Sequence, residues 1–538
     1  MPTSRQKLKV FSAEDALTKA DTVNKEGFPA FSQPLKDQVA QMLLTNLMQD
    51  TFYANGKEQT EDAMKLHAAM FKEDPVFYAK AVKYARNQGM MKLQPTIGMA
   101  FLSTLSTKKA EFGISKLFID VIRTPKDAVT FIELCMAEGA GIRKGLGTHV
   151  KNMLRKFVAH KISEYWAIKY GPDLTRIIRL ARPNLVQWTK SEDPQIKLAG
   201  RLGLYLVGAE NADITGLAQI EAYEQLKKGI ASPIELIKTG KLPHEAVTGI
   251  IKPTQDVWRE LFLQMPTLAL VRNIANIQEN GLLEDPRIMA HIQKTFSAER
   301  VRKAKVLPYQ LFMSFLTLTP IQRVVSTYLY KAYETALDAS LLNALAPDGR
   351  VLIGYDVSGS MGSVISSGRK RTEIVIRYID VAAIFAVVLT KLAPDKTVAL
   401  GFDDGLRMNA FNPLDTVLTA VSKINTPGGG TQLDLPLSWA LQNNQKFDYF
   451  VGITDTMEWL GSGVANLINQ YRQHINKNLV AVLVRIDSYT QSRPTPQNMS
   501  GVYYVYGWSP QVIEFVSSVL SGQLRNLTDR IDLVSLTD

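Results

Sequence analysis

The sequence predicts two architectures in one chain: an α-helical repeat domain followed by a doubly wound α/β domain. Between residues 35 and 345, apolar residues recur three and four positions apart, with short Pro, Gly or Asn breaks and no strand patterns. After a turn at residues 346–350, apolar runs of strand length alternate with helical patterns. We therefore divide the chain into an N-terminal arm (1–34), a helical-repeat domain (35–345) and an α/β domain (346–538).

The helical domain is predicted from segments whose apolar residues share one face. The clearest helices are expected at residues 37–50, 61–70, 75–87, 113–122, 127–137, 147–165 and 254–263. Successive helices without intervening strands stack into a curved array with a concave face.

The α/β domain is predicted from five strands and the helices between them. The strands are expected at residues 351–356, 397–402, 449–454, 479–486 and 502–506, and the helices at 372–392, 416–423, 435–442, 466–474 and 510–520. In such a sheet, ligands bind at the carboxyl ends of the strands.

Oxygen-bearing side chains lie where three of these segments end. They comprise an aspartate and two serines at alternate positions, a threonine after a glycine triplet, and an aspartate that closes a strand. Such hard oxygen donors suit Mg²⁺ or Mn²⁺ better than zinc or iron. Alternatively the two serines cap a helix, which explains neither the glycine triplet nor the second aspartate. The predicted metal ligands are Asp356, Ser358, Ser360, Thr431 and Asp455.

The same motif argues against catalysis. A phosphotransferase with an aspartyl nucleophile at Asp356 would need a second carboxylate two residues later, where Ser358 stands. A nuclease would need a carboxylate cluster or a histidine pair. The sequence therefore predicts a protein that binds through a metal and is not an enzyme.

Composition indicates an ordinary globular protein. The 538 residues are 46% hydrophobic and 21% charged. The single cysteine, Cys135, excludes an internal disulfide and fits a reducing compartment. No leader-like segment and no apolar run of membrane-spanning length is evident, so we expect a cytoplasmic protein without a membrane anchor.

The positive charge is concentrated in the first part of the chain. Residues 1–350 carry 47 Lys and Arg against 35 Asp and Glu, whereas residues 351–538 carry 15 against 16. Residues 141–182 hold ten basic and two acidic side chains, interleaved with Tyr165, Trp166 and Tyr170. This density favours a nucleic-acid partner, although the charges could instead solvate helix surfaces and the aromatic rings could belong to the core. The candidate RNA contacts are Arg143, Lys144, Lys151, Arg155, Lys161, Arg176, Arg272 and Arg302.

Several stretches together carry a family resemblance. They are VWRE at residues 257–260, QMPTLALVRN at 264–273, RKAKVLPY at 302–309, and the glycine turn at 145–147 with the basic residues after it. With the pattern of predicted metal ligands, which is similar to a metal-ion-dependent adhesion site, the chain resembles the Ro autoantigen family. That family joins a TROVE domain to a von Willebrand factor A domain.

The resemblance implies a single-chain, HEAT-like ring whose ends are joined by the A domain. It further implies that the basic cavity accepts single-stranded 3′ ends of misfolded noncoding RNA and that the outer surface binds Y-like RNA. Such proteins act in RNA quality control or the stress response, and bacterial ones work with polynucleotide phosphorylase or another 3′-to-5′ exoribonuclease.

The alternative is a metal-dependent protein-binding adapter without RNA. Its A domain would capture a partner's carboxylate as a metal ligand, and the helical array would provide a second docking surface. The uneven charge argues against this alternative, because a protein adapter needs no basic array.

Overall fold

A computed structural model describes most of the chain. The described residues are 20–25, 27–48, 55–105, 113–137, 146–304, 306, 311–312, 314–315, 331–336, 345–367, 375–408, 411–424, 428–455, 463–497 and 499–537.

The first part of the chain is a stacked array of short helices. They are α1 (Leu35–Thr45), α2 (Gly56–Glu73), α3 (Pro75–Asn87), α4 (Leu93–Leu102), α5 (Ile114–Val121), α6 (Pro125–Met136), α7 (Thr148–Lys161), α8 (Glu164–Lys169), α9 (Gly171–Ala181), α10 (Leu185–Trp188), α11 (Pro194–Val207), α12 (Ala218–Lys228), α13 (Pro233–Gly240), α14 (His244–Thr248), α15 (Gln255–Gln264), α16 (Thr267–Glu279), α17 (Pro286–Thr295) and α18 (Ala298–Lys303). Residues 331–336 are also helical. Within the described ranges, every helix is too short or too polar to cross a membrane.

Short local signals set where these helices begin. Asp74 accepts a hydrogen bond from Phe77 N (2.9 Å), and a proline occupies the first turn. Thr124 and Asp127 form a reciprocal capping box ahead of α6. A capping oxygen satisfies backbone donors that have no partner inside the helix. Proline at the first position costs no intrahelical hydrogen bond, because the N–H that it lacks would have no partner there.

Several helices have bounds that differ from those expected; for example, the helix expected at 37–50 spans Leu35–Thr45 and the one expected at 61–70 spans Gly56–Glu73. Two further differences have a clear local cause. The helix expected at 147–165 is two helices, because the chain becomes extended at Ser163 and its hydroxyl accepts from Trp166 N (3.3 Å), which starts α8. The helix expected at 372–392 begins only at Tyr378, since the residues before it form strand β5 (Val375–Arg377), which pairs antiparallel with β4 (Val364–Ser367). In both cases a local cap or strand pairing overrides the helical periodicity.

The second part is a mixed sheet covered by helices. Its strands are β3 (Val351–Asp356), β6 (Thr397–Phe402), β7 (Leu406–Arg407), β8 (Tyr449–Thr454), β9 (Val480–Arg485) and β11 (Val502–Tyr506), in the order β11-β9-β8-β3-β6-β7. All neighbours are parallel except β7, which pairs antiparallel with β6. The covering helices are α19 (Tyr378–Leu392), α20 (Val417–Ser422), α21 (Leu435–Gln442), α22 (Val464–His474), α23 (Pro510–Leu520) and α24 (Leu527–Asp532). β3 is buried along its whole length at the centre of this sheet.

The α/β domain contacts the start of the helical array. The arm strand β2 (Pro29–Ser32), which also pairs with β1 (Thr22–Val23), forms an antiparallel pair with β10 (Ser492–Arg493). Gln41 donates to the backbone oxygen of Tyr489 (2.9 Å), and the buried Arg485 donates to Gln33 (2.7 Å). These contacts are polar, buried and mutually satisfied, so they fix one orientation of the two domains.

The same domain also touches the far end of the array. Leu418 N, in α20, donates to the carboxylate of Glu334 (3.2 Å) in the helical stretch 331–336. Tyr333 in that stretch packs against Phe296 at the end of the array. The α/β domain thus contacts both ends and closes the chain into a ring, as the resemblance implied.

We expect acid to destabilise the protein through His67. This side chain is fully buried, donates from Nε2 to Gln94 Oε1 (2.8 Å), and burial lowers its pKa to about 4 from the ordinary 6.5. Below pH 6.5 the unfolded chain takes up a proton that the folded protein does not, so the free energy of unfolding should fall by up to roughly 3 kcal/mol as pH drops towards 4. Urea unfolding between pH 7.5 and 4.5 measures this change.

The matched variants for this experiment are His67→Gln and His160→Gln. His160 is exposed. Only His67→Gln of these two variants should flatten the pH dependence, because burial lowers the pKa of His67 whereas His160 is exposed to solvent. An equal slope in all three proteins would show that His67 does not govern acid stability.

Candidate metal and nucleic-acid sites

The predicted metal ligands meet at the carboxyl edge of the sheet. The first aspartate ends β3, the second follows β8, and the threonine lies on the glycine loop beside them. All five side chains are buried: Asp356, Ser358, Ser360, Thr431 and Asp455.

Hydrogen bonds arrange the first loop of this site. Asp356 Oδ1 accepts from Ser358 N (2.8 Å), and its Oδ2 accepts from Thr454 Oγ1 (2.6 Å). The hydroxyl oxygens of Ser358 and Ser360 lie 3.2 Å apart. The side chain of Asp356 is therefore held from two directions, with both serine hydroxyls close to it.

The glycine loop is tied to the first loop through its backbone. Gly359 N donates to Gly429 O (3.2 Å), and Gly428 N donates to Val357 O (3.0 Å). Gly429 has φ +72°, and a Cβ there would lie 2.8 Å from an Asp404 carboxylate oxygen. Only glycine fits both the backbone conformation and the close approach at position 429, which explains the middle glycine of the triplet before Thr431.

The site concentrates negative charge. Burial raises the pKa of Asp356 to about 6, hydrogen bonds from Thr454 and Ser358 oppose this rise, and the negative charge of Asp403 adds to it. A bound cation would offset the cost of keeping that carboxylate ionised in a buried place.

Sequence reasoning missed Asp403. It is buried directly after β6, where its carboxylate accepts from Gly405 N (3.0 Å) and from the Arg407 guanidinium. The signal was available, because Asp403 closes the apolar strand at 397–402 just as Asp455 closes the strand at 449–454. Its oxygens are engaged by protein donors, so it adds charge beside the site.

The donor set fits a hard divalent cation. Across the described ranges, no three His, Cys, Asp or Glu side chains gather closely enough to hold a metal. A site here therefore relies on two carboxylates assisted by three hydroxyls, which suits Mg²⁺ or Mn²⁺ better than zinc.

The predicted RNA contacts are dispersed, and two of them serve the fold. Arg143 and Lys144 lie outside the described residues. Arg155 Nε donates to Ala181 O (2.7 Å) and fastens α7 to α9, while Arg176 pairs with Glu133 (2.7 Å). Lys151 and Lys161 lie on α7, and Arg302 is exposed at the end of α18.

The aromatic residues divide between two roles. Trp166 stacks on the buried Phe157 at 5.9 Å between ring centroids, so it belongs to the core. Tyr165 is half-buried, accepts a hydrogen bond from Lys169 (2.9 Å), and lines a cavity together with Arg272.

A basic cluster that the sequence did not reveal lies around Arg272. We call Lys92, Lys126 and Arg272 the inner cluster; they come from the start of α4, the first turn of α6 and the middle of α16. Desolvation lowers the pKa of Lys92; Asp127 opposes this, and the positive charges of Arg272, Arg86 and Lys126 lower the pKa further. Helices distant in the chain thus bring like charges together across the curved array.

The inner cluster is exposed but has no counter-ion of its own. All three side chains reach solvent, and in the part of the chain that the structure describes no ion pair or hydrogen bond engages them. The nearby Asp127 already accepts from the buried Arg86 and from Thr124 N (3.1 Å). Converging cations without carboxylate partners favour a polyanionic ligand.

Comparison with known proteins gives matches in both the helical part and the α/β part of the chain. A model of the TROVE domain matches residues 250–323, and a model of the Ro60 vWA domain matches residues 350–518. The RNA-binding protein RO60 of Caenorhabditis elegans is 24% identical over 76% of this chain and 72% of its own length. The RNA-binding protein RO60 of Deinococcus radiodurans is 22% identical over 91% of this chain and 94% of its own length.

The fold is shared with a solved structure. The crystal structure of the Deinococcus radiodurans Ro (RSR) protein superposes with a TM-score of 0.64 at 19% identity, covering 91% of this chain and all of that one. The fold is therefore that of a helical-repeat ring closed by a von Willebrand factor A domain. Both parts of the chain therefore match models of Ro-type domains, and the chain is similar to Ro proteins over most of its length.

Proposed function

We propose that this protein binds RNA on the inner cluster and accepts the single-stranded 3′ ends of misfolded noncoding RNA. The supporting observation is the convergence of Lys92, Lys126 and Arg272, whose neighbouring carboxylate, Asp127, is already engaged by the buried Arg86. The relatives named RNA-binding proteins support the same ligand class. Backbone charge pairing tolerates any sequence, whereas a ring selects a strand by its shape.

In this proposal the protein is a scaffold and not a catalyst. The RNA is presented to polynucleotide phosphorylase or another 3′-to-5′ exoribonuclease in cytoplasmic RNA quality control or the stress response, and Y-like RNA binds the outer surface. The A domain holds Mg²⁺ or Mn²⁺ through Asp356, Asp455 and the neighbouring hydroxyls. Arg407, half exposed beside this edge, would favour an acidic group of a protein partner, as the adapter alternative requires.

We expect an RNA hairpin with a single-stranded 3′ tail to bind more tightly than the same hairpin with a blunt end. A ring that admits one strand excludes a duplex, and each phosphate neutralised in a single strand contributes roughly −0.7 to the slope of log K against log salt. Fluorescence anisotropy at several salt concentrations measures affinity and slope together. Equal affinity for the two hairpins, or a slope near zero, would contradict the proposal.

A further inference from the structure

A cavity of about 780 Å³ opens beside the inner cluster. It lies between α8, the turn from α13 to α14, and the helix pair α15 and α16. Its size is within the range of pockets that hold small organic ligands, roughly 300–1,000 Å³.

Four cations surround this cavity. They are Lys169, Lys238, Lys241 and Arg272, against one lining carboxylate, Glu245. Glu245 accepts from Lys169 (2.7 Å), and Lys238 lies 3.6 Å from Glu260. No ion pair or hydrogen bond within the described residues engages the side chains of Lys241 and Arg272, so these two cations are available to an anion.

The remaining lining is apolar and aromatic. Leu242, Leu261 and Met265 are buried at its floor, and Ala269 forms part of its wall. The Tyr165 ring lies at the edge, with its hydroxyl held by Lys169. An inorganic anion would bind the cations but would make no contact with the apolar floor. A nucleotide, with a flat base and a phosphate, matches both parts.

Arg272 joins the cavity to the inner cluster, because it lines the cavity and also acts on Lys92. We propose that the cavity receives one unpaired nucleotide of the bound RNA strand. The base packs against Tyr165 and the apolar floor, and the adjoining phosphate contacts Arg272 and Lys241. This inference rests on the proposed RNA binding and adds a defined nucleotide site to it.

The test combines a cavity-filling variant with abasic substitutions in the RNA tail. Ala269→Phe places a ring in the wall of the cavity and narrows it without changing charge, and Ala275→Phe is the control, since Ala275 is half-buried on the same helix but does not line the cavity. One abasic position should weaken binding to the unmodified protein about tenfold, as expected for losing one stacked base. Ala269→Phe should cause the same loss, and the abasic change should then cost nothing more.

A second variant guards against a folding defect in the first. Lys241 has φ +48°, a conformation that asparagine tolerates, so Lys241→Asn removes the cation with little strain. It should weaken tail binding severalfold and make the salt slope less negative by roughly 0.7. Thermal unfolding of each variant shows whether the fold is intact.

The outcomes separate this inference from the proposed function. If tailed RNA binds but no abasic position matters, or if folded Ala269→Phe binds normally, the nucleotide site is refuted while RNA binding stands. If adenosine monophosphate alone binds, Ala269→Phe abolishes its binding and the abasic scan is flat, the cavity serves a free nucleotide and the inference is wrong. If the unmodified protein binds no tailed RNA, the proposed function fails first.

Discussion

Replacing Lys92, Lys126 and Arg272 together by alanine is expected to weaken binding of a single-stranded RNA tail by roughly a hundredfold at low salt. Each side chain reaches solvent with no protein partner in the described part of the chain, so each is free to neutralise a phosphate. The salt slope should become less negative by about 2, from three lost contacts. The fold should be unharmed, because the change removes repulsion between like charges.

The control removes the same charge elsewhere in the array. Lys190, Lys197 and Lys252 are exposed, and no ion pair or hydrogen bond of their side chains occurs among the described residues. Their triple alanine variant should retain tail affinity within a fewfold and nearly the same slope. If the two triple variants lose affinity equally, RNA affinity depends on the overall charge of the array and not on the inner cluster. If neither loses affinity, α7 with Lys151 and Lys161 becomes the better candidate.

The position of the candidate metal ligands at one edge of the sheet was predictable because the information that sets it is local. Asp356, Ser358 and Ser360 lie within five residues, and the carboxyl ends of parallel strands meet at one edge. The strands expected at 351–356, 397–402, 449–454 and 502–506 have the same bounds in the structure. The motif does not include Asp403; the sequence marks this aspartate as the end of a strand, but its proximity to Asp356 depends on β6 lying directly beside β3.

The basic surface was not predictable in the same way. The densest basic stretch of the sequence includes Arg155 and Arg176, which the fold uses to join helices. The inner cluster instead combines Arg272, which the sequence did single out, with Lys92 and Lys126, which lie far from it in the chain and stand outside that basic stretch. Their approach depends on how helices distant in the chain pack together, which helical periodicity alone does not specify.

The second large effect is expected at the metal site. Asp356→Asn should lower Mg²⁺ and Mn²⁺ affinity by more than a hundredfold, because it removes one of only two carboxylates from a donor set otherwise made of hydroxyls. Asparagine keeps nearly the same shape and can still accept from Ser358 N, so the fold should survive. Isothermal titration calorimetry with Mn²⁺ measures the loss, and Asp395→Asn, an exposed aspartate of the same domain, is the control.

The Asp356→Asn protein should bind an RNA tail with an affinity within about threefold of that of the unmodified protein, roughly 0.7 kcal/mol. The candidate metal ligands lie at the edge of the A-domain sheet, whereas the inner cluster is built from α4, α6 and α16 of the array. Loss of the metal should therefore affect only a partner that binds through it. If tail binding collapses while thermal unfolding shows an intact fold, the metal edge takes part in holding RNA, and the separation of the two sites is wrong.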